Sequence, residues 1–113
     1  MKKIRTIKRK EEFTKIIQGK KRVSETTITF YYAQKKEVDN RVGISVTTKL
    51  GNAVERNRAK RQMREMIDQV FDWQESFDSI IVIKPSFKDC GFRDNKKNLE
   101  SCYKKVKIEI MKD

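Results

Sequence analysis

Residues 41–71 read RVGISVTTKLGNAVERNRAKRQMREMIDQVF, and the hydrophobic period changes part-way along them. Between residues 41 and 48 the apolar Val42, Ile44 and Val46 alternate with small or polar residues, the two-residue period of a half-buried strand. Gly51 breaks that pattern, and Asn52 is suited to cap a helix. Beyond it, at about 100° per residue, Ala59, Met63, Met66, Ile67 and Val70 gather on one side of a helix over residues 53–71. Asn57, Arg58, Arg61 and Arg64 gather on the other, Lys60 lies at the border, and Arg56 projects from the first turn. One face is made to pack, the other to present guanidinium groups.

The flanking segments complete an α+β pattern. Residues 26–34 (TTITFYYAQ) are rich in β-branched and aromatic side chains and form a strand, expected to pair with residues 41–48 as a hairpin across the polar residues 35–40. Alternation puts Phe30 and Tyr32 on one face of that strand and Tyr31 on the other. Residues 21–24 leave room for one more short strand. Upstream, Phe13, Ile16 and Ile17 share a face of a short helix over residues 11–18, which Gly19 can end. Residues 1–10 are basic and expected to be loosely ordered. Downstream, residues 79–84 (SIIVIK) read as a buried strand stopped by Pro85, and residues 86–93 form a connector. A last helix begins at about Asp94 or Asn95, with Leu99, Cys102, Val106 and Ile110 as its core stripe. No repeat or linker divides the chain. It is read as one domain over residues 1–113, α-β-β-α-β-α or, with the short strand, α-β-β-β-α-β-α, a single sheet with helices packed on it.

Composition narrows the function. Lys and Arg total 28 against 16 Asp and Glu, a net charge of +12 on 113 residues. So small a domain with that excess calls for a polyanionic partner. A membrane is disfavoured, because the longest apolar run, residues 80–83, is far short of the roughly 18 residues a span needs. The N-terminus has no apolar centre of a signal peptide, so a cytoplasmic location is expected. Two cysteines, in that setting, read as reduced thiols: Cys102 as a small core residue, Cys90 as a loop thiol with no evident role. The sequence has no histidine. That removes the commonest general base and the Ser–His and Cys–His pairs, and two cysteines cannot make an ordinary zinc site. Glu65, Asp68, Asp72 and Glu75 recur at helical spacing but read as a solvated face. Any bond-breaking chemistry is therefore expected to reside on a partner.

An ordinary solvated helix face would mix signs and pair Glu with Lys four residues apart. Residues 56–64 instead carry five basic side chains, four of them Arg. Arg forms forked contacts with phosphate that Lys cannot copy. Basic groups in a helix's first turn also oppose its dipole, a cost that implies a use other than stability. Nucleic acid is the expected partner of this face, and charge alone leaves RNA and DNA both open.

The runs RVGISV (41–46), KLGNAV (49–54), RNRAKR (56–61) and Arg64-Glu65 resemble the signature of the bacterial ribonuclease P protein family, collinearly over residues 41–65. The chain departs from the usual pattern at Thr47 and Thr48, where Ser and Lys are common, and at Ala59 and Gln62, where larger apolar residues are common and looser packing follows. The resemblance implies the ribosomal protein S5 domain 2-like fold, with a left-handed crossover around the arginine-rich helix. It implies a subunit that assists a catalytic RNA in removing the 5′ leader of precursor tRNA, with Mg2+ held mainly by that RNA. Lys49, Arg56, Asn57, Arg58, Lys60, Arg61 and Arg64 would then bind the catalytic RNA. Phe13, Ile17, Tyr31, Ser45 and Thr47 would line a cleft for the leader, with Phe30 or Tyr32 replacing Tyr31 if the register shifts by one. The competing readings are a ribosomal or assembly RNA-binding protein without a processing role, a stand-alone nuclease, which the missing histidine disfavours, and a DNA-binding regulator, which lacks a helix-turn-helix partner.

Overall fold

The computed structural model describes residues 6–7, 9–34, 40–72 and 77–111. Among these, the elements run α1 (Lys10–Gln18), β1 (Arg22–Ser24), β2 (Ile28–Gln34), β3 (Arg41–Val46), α2 (Ala53–Val70), β4 (Phe77–Ile83) and α3 (Phe92–Met111). Short 3-10 turns at Thr48–Leu50 and Pro85–Asp89 lead into α2 and α3. This is the expected α-β-β-β-α-β-α order, with the short strand present.

The strand order is β1-β2-β4-β3. The β1–β2 and β2–β4 pairs are antiparallel, whereas β3 and β4 are parallel, with α2 as their crossover. The expected hairpin between residues 26–34 and 41–48 is therefore not formed, because β4 lies between those two strands. Its sequence explains why. Ile80, Ile81 and Ile83 are fully buried, so the strand needs cover on both faces and paired neighbours on both edges. Burying each such side chain is worth about 1.5–3 kcal/mol, which a two-stranded arrangement with β4 at the edge would forfeit in part. The greater part of the expected turn, residues 35–39, lies outside the described residues, as does Glu75.

Register assigns each side chain to a layer. Val23, Phe30, Ile81 and Ile44 form one row across the four strands, with Tyr32 and Val42 in the next. This face packs against Ala59, Met63, Met66 and Ile67 of α2 and Leu99, Cys102, Tyr103 and Val106 of α3. Phe30, Phe71, Phe77 and Tyr103 make an aromatic cluster there, with the Phe71 and Tyr103 centroids 4.6 Å apart. The opposite face carries α1: Ile7, Ile16 and Ile80 are buried together, flanked by Phe13, Tyr31, Ala33 and Val82. Thr6 bridges to Val42, and the Ile7 N–H donates to Val42 O at 3.0 Å. These two residues of the N-terminal segment, expected to be loose, are thus fixed on β3. Residues 1–5 and 8 lie outside the description.

The last helix starts at Phe92, two residues earlier than expected, and buries two residues besides the expected stripe. Asn95 donates to Phe87 O at 3.0 Å, tying the 3-10 turn to α3. The Tyr103 hydroxyl receives the Asp72 N–H at 2.8 Å and donates to Asp72 O, so a polar group is satisfied inside the core. Glu25 anchors the β1–β2 turn to α3, accepting from Ser101 at 2.7 Å and Lys105 at 2.8 Å. Its hydrogen bond from Lys105, then that from Ser101, holds its carboxyl below the usual range. Cys102 is buried among apolar side chains, and burial pushes its thiol up to about 12. Since the thiolate is the reactive form, an alkylating reagent at pH 8 should modify Cys90 in the native protein and spare Cys102 until denaturant is added. Mass spectrometry of the native and unfolded protein checks this, and equal native labelling of both thiols would contradict the packing of α3.

Candidate RNA-binding surfaces

The arginine-rich face begins with a well-made helix start. The Asn52 Oδ1 accepts the Glu55 N–H at 2.9 Å, and the Glu55 carboxylate accepts the Asn52 N–H at 3.2 Å, a reciprocal capping box. Gly51 has φ 158°, and a Cβ there would run into the Glu55 carboxylate, so the tight entry into α2 requires glycine. The box fixes the first turn, and the packing of Ala59, Met63, Met66 and Ile67 fixes the rotation of the helix. What is left outward is Asn57, Arg58, Arg61 and Arg64, all exposed, with Arg56 and Lys60 half-exposed. Lys49, exposed in the preceding turn, adds to the same end. Six of these seven thus stand along residues 56–64 of α2, and Lys49 lies in the turn that leads into it.

Their electrostatics separate them from an ordinary charged face. Arg58, Arg61 and Arg64 make no ion pair with any described side chain. The acidic residues nearby are engaged otherwise: Glu55 caps the helix and lies 3.8 Å from Lys88, and Glu65 accepts from Gln69 at 3.2 Å. Ala59 and Gln62, where larger apolar side chains are usual, line a groove of about 280 Å³ together with Arg58, Phe87 and Cys90.

A second surface lies on the other face of the sheet. Three rows of side chains cross it: Ala33–Asp78–Arg41, then Arg22–Tyr31–Ile80–Gly43, then Ser24–Thr29–Val82–Ser45. Helix α1 packs over the first two rows and leaves the third partly exposed beside it, and this border is the candidate cleft. Phe13 is seated on Gly43, where a Cβ would stand 2.5 Å from its ring and 2.8 Å from Ile80 Cδ1. Tyr31, half-buried, is the β2 aromatic on this face, while Phe30 and Tyr32 belong to the other. Ile17 stands 36% exposed at the margin of α1. Ser45 is half-exposed in the third row, and Thr47 continues beyond the end of β3 with its hydroxyl oxygen buried.

Several residues of this cleft had not been singled out. The Ser24 and Thr29 hydroxyls meet at 3.0 Å, and Lys84 Nζ donates to Ser24 Oγ at 3.1 Å and Glu25 O at 2.7 Å. Thr29 shares the face of Tyr31 by strand alternation, so a signal for it existed. Arg22 arrives through the short β1–β2 pairing with Tyr31, whereas Lys84 comes near only through contacts across some sixty positions, which no local pattern reports.

The Ribonuclease P family profile matches residues 1–107. The chain belongs to the ribonuclease P protein family. It is 32% identical over 109 residues to the ribonuclease P protein component of Bacillus velezensis, covering 96% of this chain and 94% of that protein. It is 33% identical over 114 residues to that of Bacillus cereus, covering 99% of each. The structure of the Staphylococcus aureus RNase P protein superposes with a TM-score of 0.81 at 33% identity, over 91% of this chain and 95% of that one. The Thermotoga maritima RNase P protein shares the fold, with a TM-score of 0.72 at 22% identity over 83% of this chain and 90% of that one. Membership in the ribonuclease P family gives the chain its role: an RNA-binding protein subunit in tRNA processing, with ribonuclease P RNA as its partner.

The seat of Phe13 can be tested without RNA. Gly43→Ala should overpack the α1–sheet contact and cost about 1–3 kcal/mol of stability. Combining it with Phe13→Leu, which removes the crowding ring, should return part of the loss. Urea denaturation of the two variants measures this, and an unchanged midpoint for Gly43→Ala would show that Phe13 does not rest on Gly43.

Proposed function

We propose that the chain holds two RNAs at once. The α2 face, with Lys49, Arg56, Asn57, Arg58, Lys60, Arg61 and Arg64, binds the catalytic RNA of ribonuclease P. The cleft of Phe13, Ile17, Tyr31, Ser45 and Thr47 binds the 5′ leader of precursor tRNA. The observation that carries the first assignment is the set of exposed arginines without ion pairs on a helix whose carboxylates are used elsewhere. Structured RNA is recognised largely by shape and phosphate, which suits guanidinium groups on a rigid helix. The second rests on chemistry of a different kind. An aromatic edge, a hydroxyl-lined strand row and a cation at its border suit unstacked bases and a single-stranded backbone.

The hydrolysis belongs, in this reading, to the RNA. The chain has no histidine, and the described residues contain no group of three or more Cys, Asp or Glu that could hold a metal ion. The proposal places Mg2+ on the RNA. The working location is the cytoplasm. No helix among the described residues is long and apolar enough to cross a membrane.

Two variants test the division, because they should fail in opposite ways. Replacing Arg58, Arg61 and Arg64 together by Ala should weaken binding to the catalytic RNA. It should also flatten the slope of log K against log salt by up to about one unit per lost phosphate contact. Phe13→Ala should leave that binding alone and cost about 1–3 kcal/mol in affinity for precursor tRNA, with no loss for mature tRNA lacking a leader. Unchanged salt slope in the first, or equal losses for both tRNA forms in the second, would overturn the corresponding assignment.

A further inference from the structure

Helix α1 is held over the first row of the sheet, the row farthest from the cleft, by a charged cluster. Arg41 lies on β3, the strand that also carries Gly43 and Ser45. Its Nε donates to Asp78 Oδ1 at 3.1 Å and its Nη2 to Asp78 Oδ2 at 2.8 Å, a forked pairing with the adjacent strand β4. The same Nη2 donates to Glu12 Oε2 of α1 at 2.6 Å. The hydrogen bonds that it donates to Asp78 and then to Glu12 outweigh burial and raise the guanidinium above its ordinary range. The side chains are about a quarter exposed for Arg41, a third for Glu12 and 14% for Asp78, and they border a pocket with Lys15, Ile16 and Ala33.

Glu12 precedes Phe13, and Phe13 is the ring seated on Gly43. We propose that Arg41 and Glu12 are positioning residues for the leader cleft: the ion pair pins α1 to β3 one residue from the aromatic wall and thereby sets the width of the groove. This rests on the assignment of the cleft to the leader. Asp78 orients the guanidinium from β4, and Glu12 is the member of the cluster that belongs to α1. Among the described residues no other ion pair joins α1 to the sheet, the rest of its hold being the packing of Ile16 and Phe13.

The proposal makes a prediction opposite in sign to simple electrostatics. Glu12 is an anion beside a groove for a polyanion. If its charge were all that mattered, removing it would strengthen leader binding. If it positions α1, Glu12→Ala should weaken it, because the aromatic wall is then less often in place. Holoenzyme is reconstituted with wild type, Glu12→Ala, Glu12→Gln and Phe13→Ala, and affinities are measured for precursor tRNA with a leader of several nucleotides and for mature tRNA. The loss expected for Glu12→Ala is roughly three- to ten-fold for precursor, from the usual net worth of a single partly exposed hydrogen bond. Glu12→Gln keeps an acceptor for Arg41 and should recover part of it. Affinity for mature tRNA and for the catalytic RNA should not change.

Precursor affinity that rises or stays level in Glu12→Ala overturns the proposal, as does an equal loss for both tRNA forms accompanied by a lower melting temperature. The Phe13→Ala arm keeps the two claims apart. If Phe13→Ala abolishes the leader-dependent gain and Glu12→Ala does not, the cleft stands and the positioning role is lost. If neither variant touches the leader-dependent gain, the leader assignment itself has failed.

Discussion

Everything in this fold is arranged around β4. A seven-residue strand with Ile80, Ile81 and Ile83 fully buried can be stable only in the middle of a sheet, covered on both sides. Antiparallel β2 fills one edge and parallel β3 the other. The parallel pairing obliges the chain to cross between β3 and β4 by a helix, and that helix is α2. Its apolar stripe is spent on the sheet, so its arginine face has nowhere to point but outward. The position of the basic surface therefore follows from a requirement of the core.

The same strand presents Ile80 and Val82 to the opposite face, where α1 covers only part of the sheet. Partial cover is what makes a cleft. Glycine at position 43 lets the Phe13 ring lie against the strand, and the Arg41 cluster fixes the approach of α1. The arginine face and the candidate cleft thus belong to two layers separated by one sheet. Substitutions on one can leave the other intact, provided the shared strands stay paired. Under the proposed function, that separation would let one small subunit hold the ribonuclease P RNA and a substrate strand at the same time.

Much of this was legible in the sequence. The change from a two-residue to a 3.6-residue period at Gly51 located β3, the capped start of α2 and both its faces, because these are local properties. Alternation through Phe30, Tyr31 and Tyr32 correctly separated core from cleft once a strand was assumed, though only pairing with β4 shows which face is which. The partner of β2 was misread. Residues 35–40 look like a turn whether the chain reverses directly or departs for another layer, and the insertion of β4 is a contact across some fifty positions that no local signal carries. The unbroken apolar run in β4 was the available clue to a central strand. Tyr103 was missed for a related reason. Its hydroxyl is satisfied by Asp72 and Asn40, partners 31 and 63 residues away, so sequence alone gave no ground to bury it. The Arg41–Glu12–Asp78 cluster likewise spans 29 and 37 residues and exists only in the folded chain.

The account is tested most directly by reconstitution. A bacterial ribonuclease P RNA is incubated at low magnesium with precursor tRNA, with and without this protein, and the release of the 5′ leader is timed. The account predicts that the protein accelerates cleavage by the RNA, that the acceleration grows with leader length, and that protein without RNA cleaves nothing. An RNA whose cleavage is indifferent to the protein, or cleavage by the protein alone, would contradict it.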